Sequence, residues 1–213
     1  MRKFICVVAI VLSGCVALPS EYYAPVADFG EVRKSMCYEK TGPEDTLKIQ
    51  FDDVDVRLSV YRTEHIGADY VQEFIQRFGE GEDGSALSSY VMYVGLSVPE
   101  GNSVVWLQPI VEFQYAGDRV VSGFISDFSN TWFDGVKLHS ESSPINSEMN
   151  GSSETFKKRT YHKRYIGNVF LGPDGADEIK LKSIKLKVND EVRFIRNVDF
   201  VKQRGWVTYL LNC

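Results

Sequence analysis

The chain has 213 residues, with 24 Lys and Arg against 29 Asp and Glu, for a formal net charge of −5 at neutral pH. An acidic balance of this kind argues against a nucleic-acid partner, and an aromatic content of 13% is too high for a disordered tether. This length fits one domain, or one domain with an appendage.

The chain opens Met1-Arg2-Lys3, continues through an apolar run from Phe4 to Leu12, and reaches Leu12-Ser13-Gly14-Cys15. A charged start, a short apolar run and small residues after it describe a secretory signal. The run falls short of the ~20 apolar residues needed to cross ~30 Å of hydrocarbon. Its last four residues resemble the lipobox of bacterial lipoproteins. The resemblance implies that the Cys15 thiol is joined to a diacylglyceryl group, that residues 1–14 are cut away, and that in many species the freed amine is acylated. It covers residues 1–15 and carries nothing about the rest. Cys6 is a small hydrophobe inside the apolar run. Two or three acyl chains give a firm hold, at ~0.8 kcal/mol per buried methylene. Val16 follows the cysteine, and the enterobacterial sorting rule reserves the inner membrane for an aspartate there. The resemblance therefore implies an outer-membrane anchor facing the periplasm, or else the outer face of the cytoplasmic membrane.

Without residues 1–14 the mature chain has 199 residues and, having lost Arg2 and Lys3, a charge of −7. Cys37 and Cys213 are the thiols left after Cys15. Export puts them where disulfides persist, so a Cys37–Cys213 bridge is expected, worth ~5 kcal/mol in the chain-entropy model. Two buried free thiols are the alternative. No cysteine lies beside another cysteine or a histidine at metal-site spacing.

Residues 15–34 hold Pro19 and Pro25 with little apolar periodicity and read as a tether, with Tyr22 and Tyr23 either at the membrane interface or, the plainer reading, folding back onto the domain. Residues 35–213 read as a single β-rich domain. Leu47, Ile49 and Phe51 alternate with polar residues, as do Val54, Val56, Leu58 and Val60, and the parity slip at Asp52-Asp53 marks a turn or bulge. Tyr70, Val71, Phe74, Ile75 and Phe78 share one helical face, predicting a short helix over 69–79 that stops at Gly79. Residues 79–84 then form an acidic glycine loop.

Residues 90–98 and 103–115 are β-rich, with hairpin loops expected at Pro99-Glu100-Gly101-Asn102 and Ala116-Gly117-Asp118-Arg119. Residues 140–155 read as a long polar loop. Ile179 and Leu181, then Ile184, Leu186 and Val188, flank a slip near Ser183. Asn189-Asp190 is a turn, Val192 to Phe194 resumes the alternation, and residues 206–211 are a last strand. The fold expected is an antiparallel β-sandwich with one inserted helix, or a curved open sheet packed on that helix.

The chemistry-bearing patterns are few. His65, His139 and His162 are not at metal-binding spacing, and no nucleophile elbow or phosphate-cradling loop occurs. No catalytic, metal or cofactor residue is assigned. Asp52, Asp53 and Asp55, near Glu44 and Asp45, offer oxygens to a hard cation, but read first as an exposed strand and turn. Phe128, Trp132, Phe133 and Asp134 cluster in a turn-rich stretch, where Trp132 and Phe133 suit a sugar ring or a partner; plugging a core is the plainer reading. Lys157, Lys158, Arg159, Lys163 and Arg164 put five fixed positive charges within eight residues. They suit anionic lipid head groups or an acidic partner, or else solvate and protect a strand end.

The functional expectation is a membrane-anchored protein that works by binding, as scaffold or accessory subunit of an envelope or secretion assembly. Two alternatives remain: an immunity protein that blocks a periplasmic toxin, and a carbohydrate-binding module or small hydrolase.

Overall fold

Residues 15–33, 45–62, 90–115, 118–133, 138–156, 158–172 and 176–210 are described by the structure, a computed structural model. The protein is mainly β, and the described residues form seventeen strands paired antiparallel. The large sheet runs β1 (Cys15–Ala27), β17 (Val198–Leu210), β14 (Glu178–Leu181), β7 (Ile110–Tyr115), β8 (Val120–Phe124), β13 (Arg159–Gly172), β5 (Tyr90–Val98), β4 (Val54–Arg62), β3 (Thr46–Phe51) and β2 (Glu31–Arg33). Beside β13 it takes in β9 (Asp127–Phe133), β10 (Leu138–Pro144) and β12 (Ser153–Phe156). A second sheet runs β11 (Glu148–Asn150), β6 (Ser103–Trp106), β15 (Ile184–Val188) and β16 (Glu191–Ile195).

Period-2 alternation decides which face is buried. Along β4, Val56, Leu58 and Val60 face the core, while Asp55 and Arg57 lie on the other face. Leu47, Leu58, Val94 and Gly167 form one row across β3, β4, β5 and β13. At Gly167 a Cβ would stand 2.5 Å from Ile125 and 2.7 Å from the Phe128 ring, so the missing side chain makes room for that ring. The large sheet curls until β1 approaches β3 and β4, giving a nearly closed, barrel-like shape. Tyr23 seals this approach. Its ring meets Tyr90 edge-on at 5.4 Å, and its hydroxyl donates to the Ala176 carbonyl at 2.6 Å.

The small sheet packs its apolar face on the large one. Val104, Trp106, Met149, Leu186 and Val188 belong to the same core cluster as the residues of the large sheet. Trp106 lies 5.3 Å from Phe128 and donates its indole N–H to the Gln108 carbonyl at 2.6 Å.

Several expectations are corrected. The stretch read as a tether is β1 for residues 15–27, paired with β17 along its whole length. Pro19 and Pro25 fit there because β1 is the outermost of the described strands of this sheet, where a missing N–H costs least. Tyr23 is buried, as the fold-back reading expected. Residues 103–115 are two strands, broken at Leu107-Gln108-Pro109, and β6 and β7 belong to different sheets. The Pro99–Asn102 turn, with Gly101 at φ 80°, therefore passes the chain between sheets and is not a hairpin. The slip at Ser183 marks the passage back, from β14 to β15. Much of the expected polar loop at 140–155 is strand: β10, β11 and β12 lie there, exposed on most positions. The expected helix at 69–79 and the loop at 79–84 lie outside the described residues, as do Cys37 and Cys213.

Candidate functional site

The basic segment forms a hairpin. β12 pairs with the start of β13 from Ser153↔His162 to Phe156↔Arg159. Lys158 takes φ 64°; Lys157 lies outside the described residues. Lys158, Arg159, Thr160, Tyr161, His162 and Arg164 are exposed. Among the described residues, Lys158, Arg159, Lys163 and Arg164 form no ion pair with a carboxylate.

Short polar contacts hold the hairpin at its root. The Glu100 amide donates to Ser153 Oγ at 3.0 Å, and that hydroxyl lies 2.9 Å from His162 Nδ1. The Lys163 amide donates to the Ser152 carbonyl at 2.9 Å. Lys163 Nζ sits 5.2 Å from the Tyr165 ring centroid, and Tyr165, buried in the core, donates its hydroxyl to the Asn150 carbonyl at 2.7 Å. The result is a projecting tip of cations on a fixed base. Ammonium and guanidinium donors of this kind bind carboxylate or phosphate oxygens by charge-assisted hydrogen bonds.

Register also fixes where this tip lies. Lys163 stands opposite Val98 at one end of β5, and Gly172 opposite Tyr90 at the other. Tyr23 contacts Tyr90, and from Tyr23 the strand β1 runs on to Cys15 beyond that second end. The basic hairpin and Cys15 therefore occupy opposite poles. The nine residues of β5 alone separate the two levels by roughly 27 Å, at ~3.4 Å per residue.

The other sequence candidates are dispersed. Phe128 is a core residue against Trp106. Asp127 accepts from Ser126 Oγ at 2.7 Å and Ser142 Oγ at 2.6 Å. Trp132 and Phe133 lie in β9, opposite His139 and Leu138 in register; their side chains, and Asp134, fall outside the described part of the structure. Asp52 and Asp53 sit in the exposed β3–β4 turn. Asp52 lies 3.6 Å from Arg193, tying that turn to the small sheet, and Asp55 lies 2.9 Å from Lys48. Two of the three clustered aspartates are thus partnered by cations rather than arranged around a common centre.

Sequence reasoning missed a surface cleft of about 730 Å³ between β3 and the end of β16. Phe29, Gly30, Phe51, Phe194, Arg196 and Asn197 line it. The Arg196 guanidinium stacks 4.5 Å from the exposed Phe194 ring, and Lys185 Nζ approaches the same ring at 6.0 Å. The signal was present but inverted. Alternation at Val192 and Phe194 suggests a buried face, whereas both are nearly half exposed, at 48% and 45%.

No protein-family model matches the chain, and no curated protein or solved structure shows significant similarity to it.

Proposed function

We propose that the chain is a membrane-anchored lipoprotein whose domain works by binding, as a scaffold or accessory subunit of an envelope assembly, with the basic hairpin as its contact for an acidic protein. The reading rests on the lipobox resemblance for the anchor. For the contact it rests on one observation: a projecting hairpin whose exposed cations have no carboxylate partner among the described residues. Its place at the pole opposite Cys15 favours a protein over the anchoring membrane, because charge contacts decay within a Debye length of ~10 Å at 0.1 M salt.

The test compares the wild-type domain with a variant in which Lys157, Lys158, Arg159, Lys163 and Arg164 are all Gln. Retention on immobilised polyglutamate and co-sedimentation with anionic vesicles are both measured, at 0.1 M and 1 M salt. Polyglutamate retention should fall with salt, as the screening length drops to ~3 Å, and should be lost in the variant. Equal retention of the two proteins overturns the contact. A Cys15→Ser protein that still incorporates labelled fatty acid overturns the anchor.

A further inference from the structure

We propose that the cleft at the seam of the two sheets binds a small carboxylate carried on an aromatic or other apolar body. Neither the anchor nor the basic hairpin takes part in it. One wall belongs to the large sheet, from Phe29 and Gly30 between β1 and β2 and from Ile49 to Phe51 at the end of β3. The other is Phe194 near the end of β16 with Arg196-Asn197, the link by which the chain leaves the small sheet for β17. At about 730 Å³ the cleft falls within the ~300–1,000 Å³ of small-molecule sites, which favour junctions between packed units.

The two walls are tied to each other and shaped by their turns. Arg193 of β16 lies 3.6 Å from Asp52 in the β3–β4 turn and 2.6 Å from Glu191, bridging the seam beside the cleft. Gly30 takes φ 78°, and a Cβ there would stand 2.6 Å from the Lys48 carbonyl oxygen, so the turn packs directly on β3. Asn197 takes φ 58°, a conformation that asparagine adopts more readily than most residues.

The lining pairs apolar surface with one charge. Phe29 and Phe51 are partly buried, and the Phe194 ring is exposed. Arg196 is the charged group among the described lining residues, and its guanidinium rests 4.5 Å from the Phe194 ring centroid. Stacking on a ring holds the planar fork of N–H donors in one orientation, ready for the two oxygens of a carboxylate. Lys185 stands opposite Phe194 in register and brings a second ammonium to 6.0 Å from the same ring. Arg193 is engaged by carboxylates, whereas Arg196 and Lys185 form no ion pair with one among the described residues.

These groups select a ligand with two parts. A bare anion would leave the rings unused, and an uncharged apolar body would cover the guanidinium without pairing it, which is costly. The single lining guanidinium matches one negative charge, as on a carboxylate, whereas a phosphate monoester carries about −1.5 to −2. The carboxamides of Gln50 and Asn197 add hydrogen-bonding groups at the cleft for an amide or hydroxyl of the ligand.

The experiment titrates the isotope-labelled full chain with N-acetylphenylalanine at neutral pH, following backbone amide signals by NMR. Saturable shifts should centre on Gly30, Gln50, Phe194, Arg196 and Asn197. N-acetylphenylalaninamide keeps the ring without the charge, acetate keeps the charge without the ring, and each should bind at least about ten-fold more weakly. Arg196→Gln should weaken the acid by about ten-fold and leave the amide unchanged. A Lys158→Gln/Arg159→Gln protein should bind the acid as wild type does. A peptide ending in phenylalanine with a free carboxyl group distinguishes the source: tighter binding than the acid assigns a chain terminus, and equal or weaker binding a free small acid. Equal affinity for acid and amide, an unchanged affinity in Arg196→Gln, or no saturable shift at the cleft overturns the site. Tighter binding of phenyl phosphate than of the acid overturns the carboxylate.

Discussion

Tyr23 shows how one side chain reports on a whole closure. It was legible as a fold-back residue but not as the seal of the curled sheet, because its partners Tyr90 and Ala176 are remote in sequence. Burial, and next to it the neighbouring Tyr90 phenol, raise its hydroxyl above the usual phenol value of 10.0. Tyr23→Phe should cost about 0.5–1.5 kcal/mol at neutral pH through the lost hydrogen bond. The sign of the pH effect follows from the raised value. Below pH 10 both folded and unfolded phenols hold their proton and the contribution is complete. Above it the unfolded phenol ionises first, so stability falls as pH rises. Denaturant midpoints between pH 8 and 11 should fall less steeply above pH 10 in Tyr23→Phe than in wild type, and identical slopes would assign the alkaline loss to other groups.

Strands were the most legible elements, because alternation is a local property. β3, β4, β5, β14 and β15 lie where their periodicity put them, and the slip at Asp52-Asp53 is a two-residue hairpin turn joining Phe51 to Val54. What alternation does not encode is the partner. The breaks at Gln108-Pro109 and Ser183 look like ordinary irregularities, yet each is a crossing between sheets, set by tertiary packing. β10 to β12 were illegible because their Ser, Asn and Glu content resembles loop, while their pairing comes from β9, β6 and β13. The hairpin cations were visible as a charge run, but their exposure at one pole required the register. At the β15–β16 turn Asn189 and Asp190 both take positive φ, at 48° and 69°. This is the mirror-image turn that suits the twist of a hairpin and favours glycine at its second position. Asp190→Gly should raise stability by about 0.5–1 kcal/mol. It should also return Lys187, whose ammonium is raised by its 2.9 Å hydrogen bond to Asp190, toward an ordinary lysine. A thermal scan and a lysine-side-chain NMR titration check the two halves separately.

On the scale of the molecule, the two sheets share one core, and Trp106 is its largest fully buried side chain. Trp106→Ala should cost about 3–5 kcal/mol. Because no second core exists among the described residues to hold either sheet, the loss should appear as one transition shifted to lower denaturant, with near- and far-ultraviolet circular dichroism coinciding. Two separated transitions would mean that the small sheet folds by itself.

The ladder between β1 and β17 joins the first described strand to the last, thirteen residues against thirteen. Time enters the architecture through that pairing. The first described strand emerges with its one partner among the described strands still unmade, and its Tyr23 waits on Ala176 and on the strand that follows it. Pairing between such distant segments is slow, with two-state domains dominated by it folding in roughly milliseconds to seconds. A chain arrested anywhere before Val198 lacks the strand with which Cys15–Ala27 pairs in the described sheet. Completion of β17 is thus the event that gives β1 its described ladder and brings the first and last described strands into one sheet.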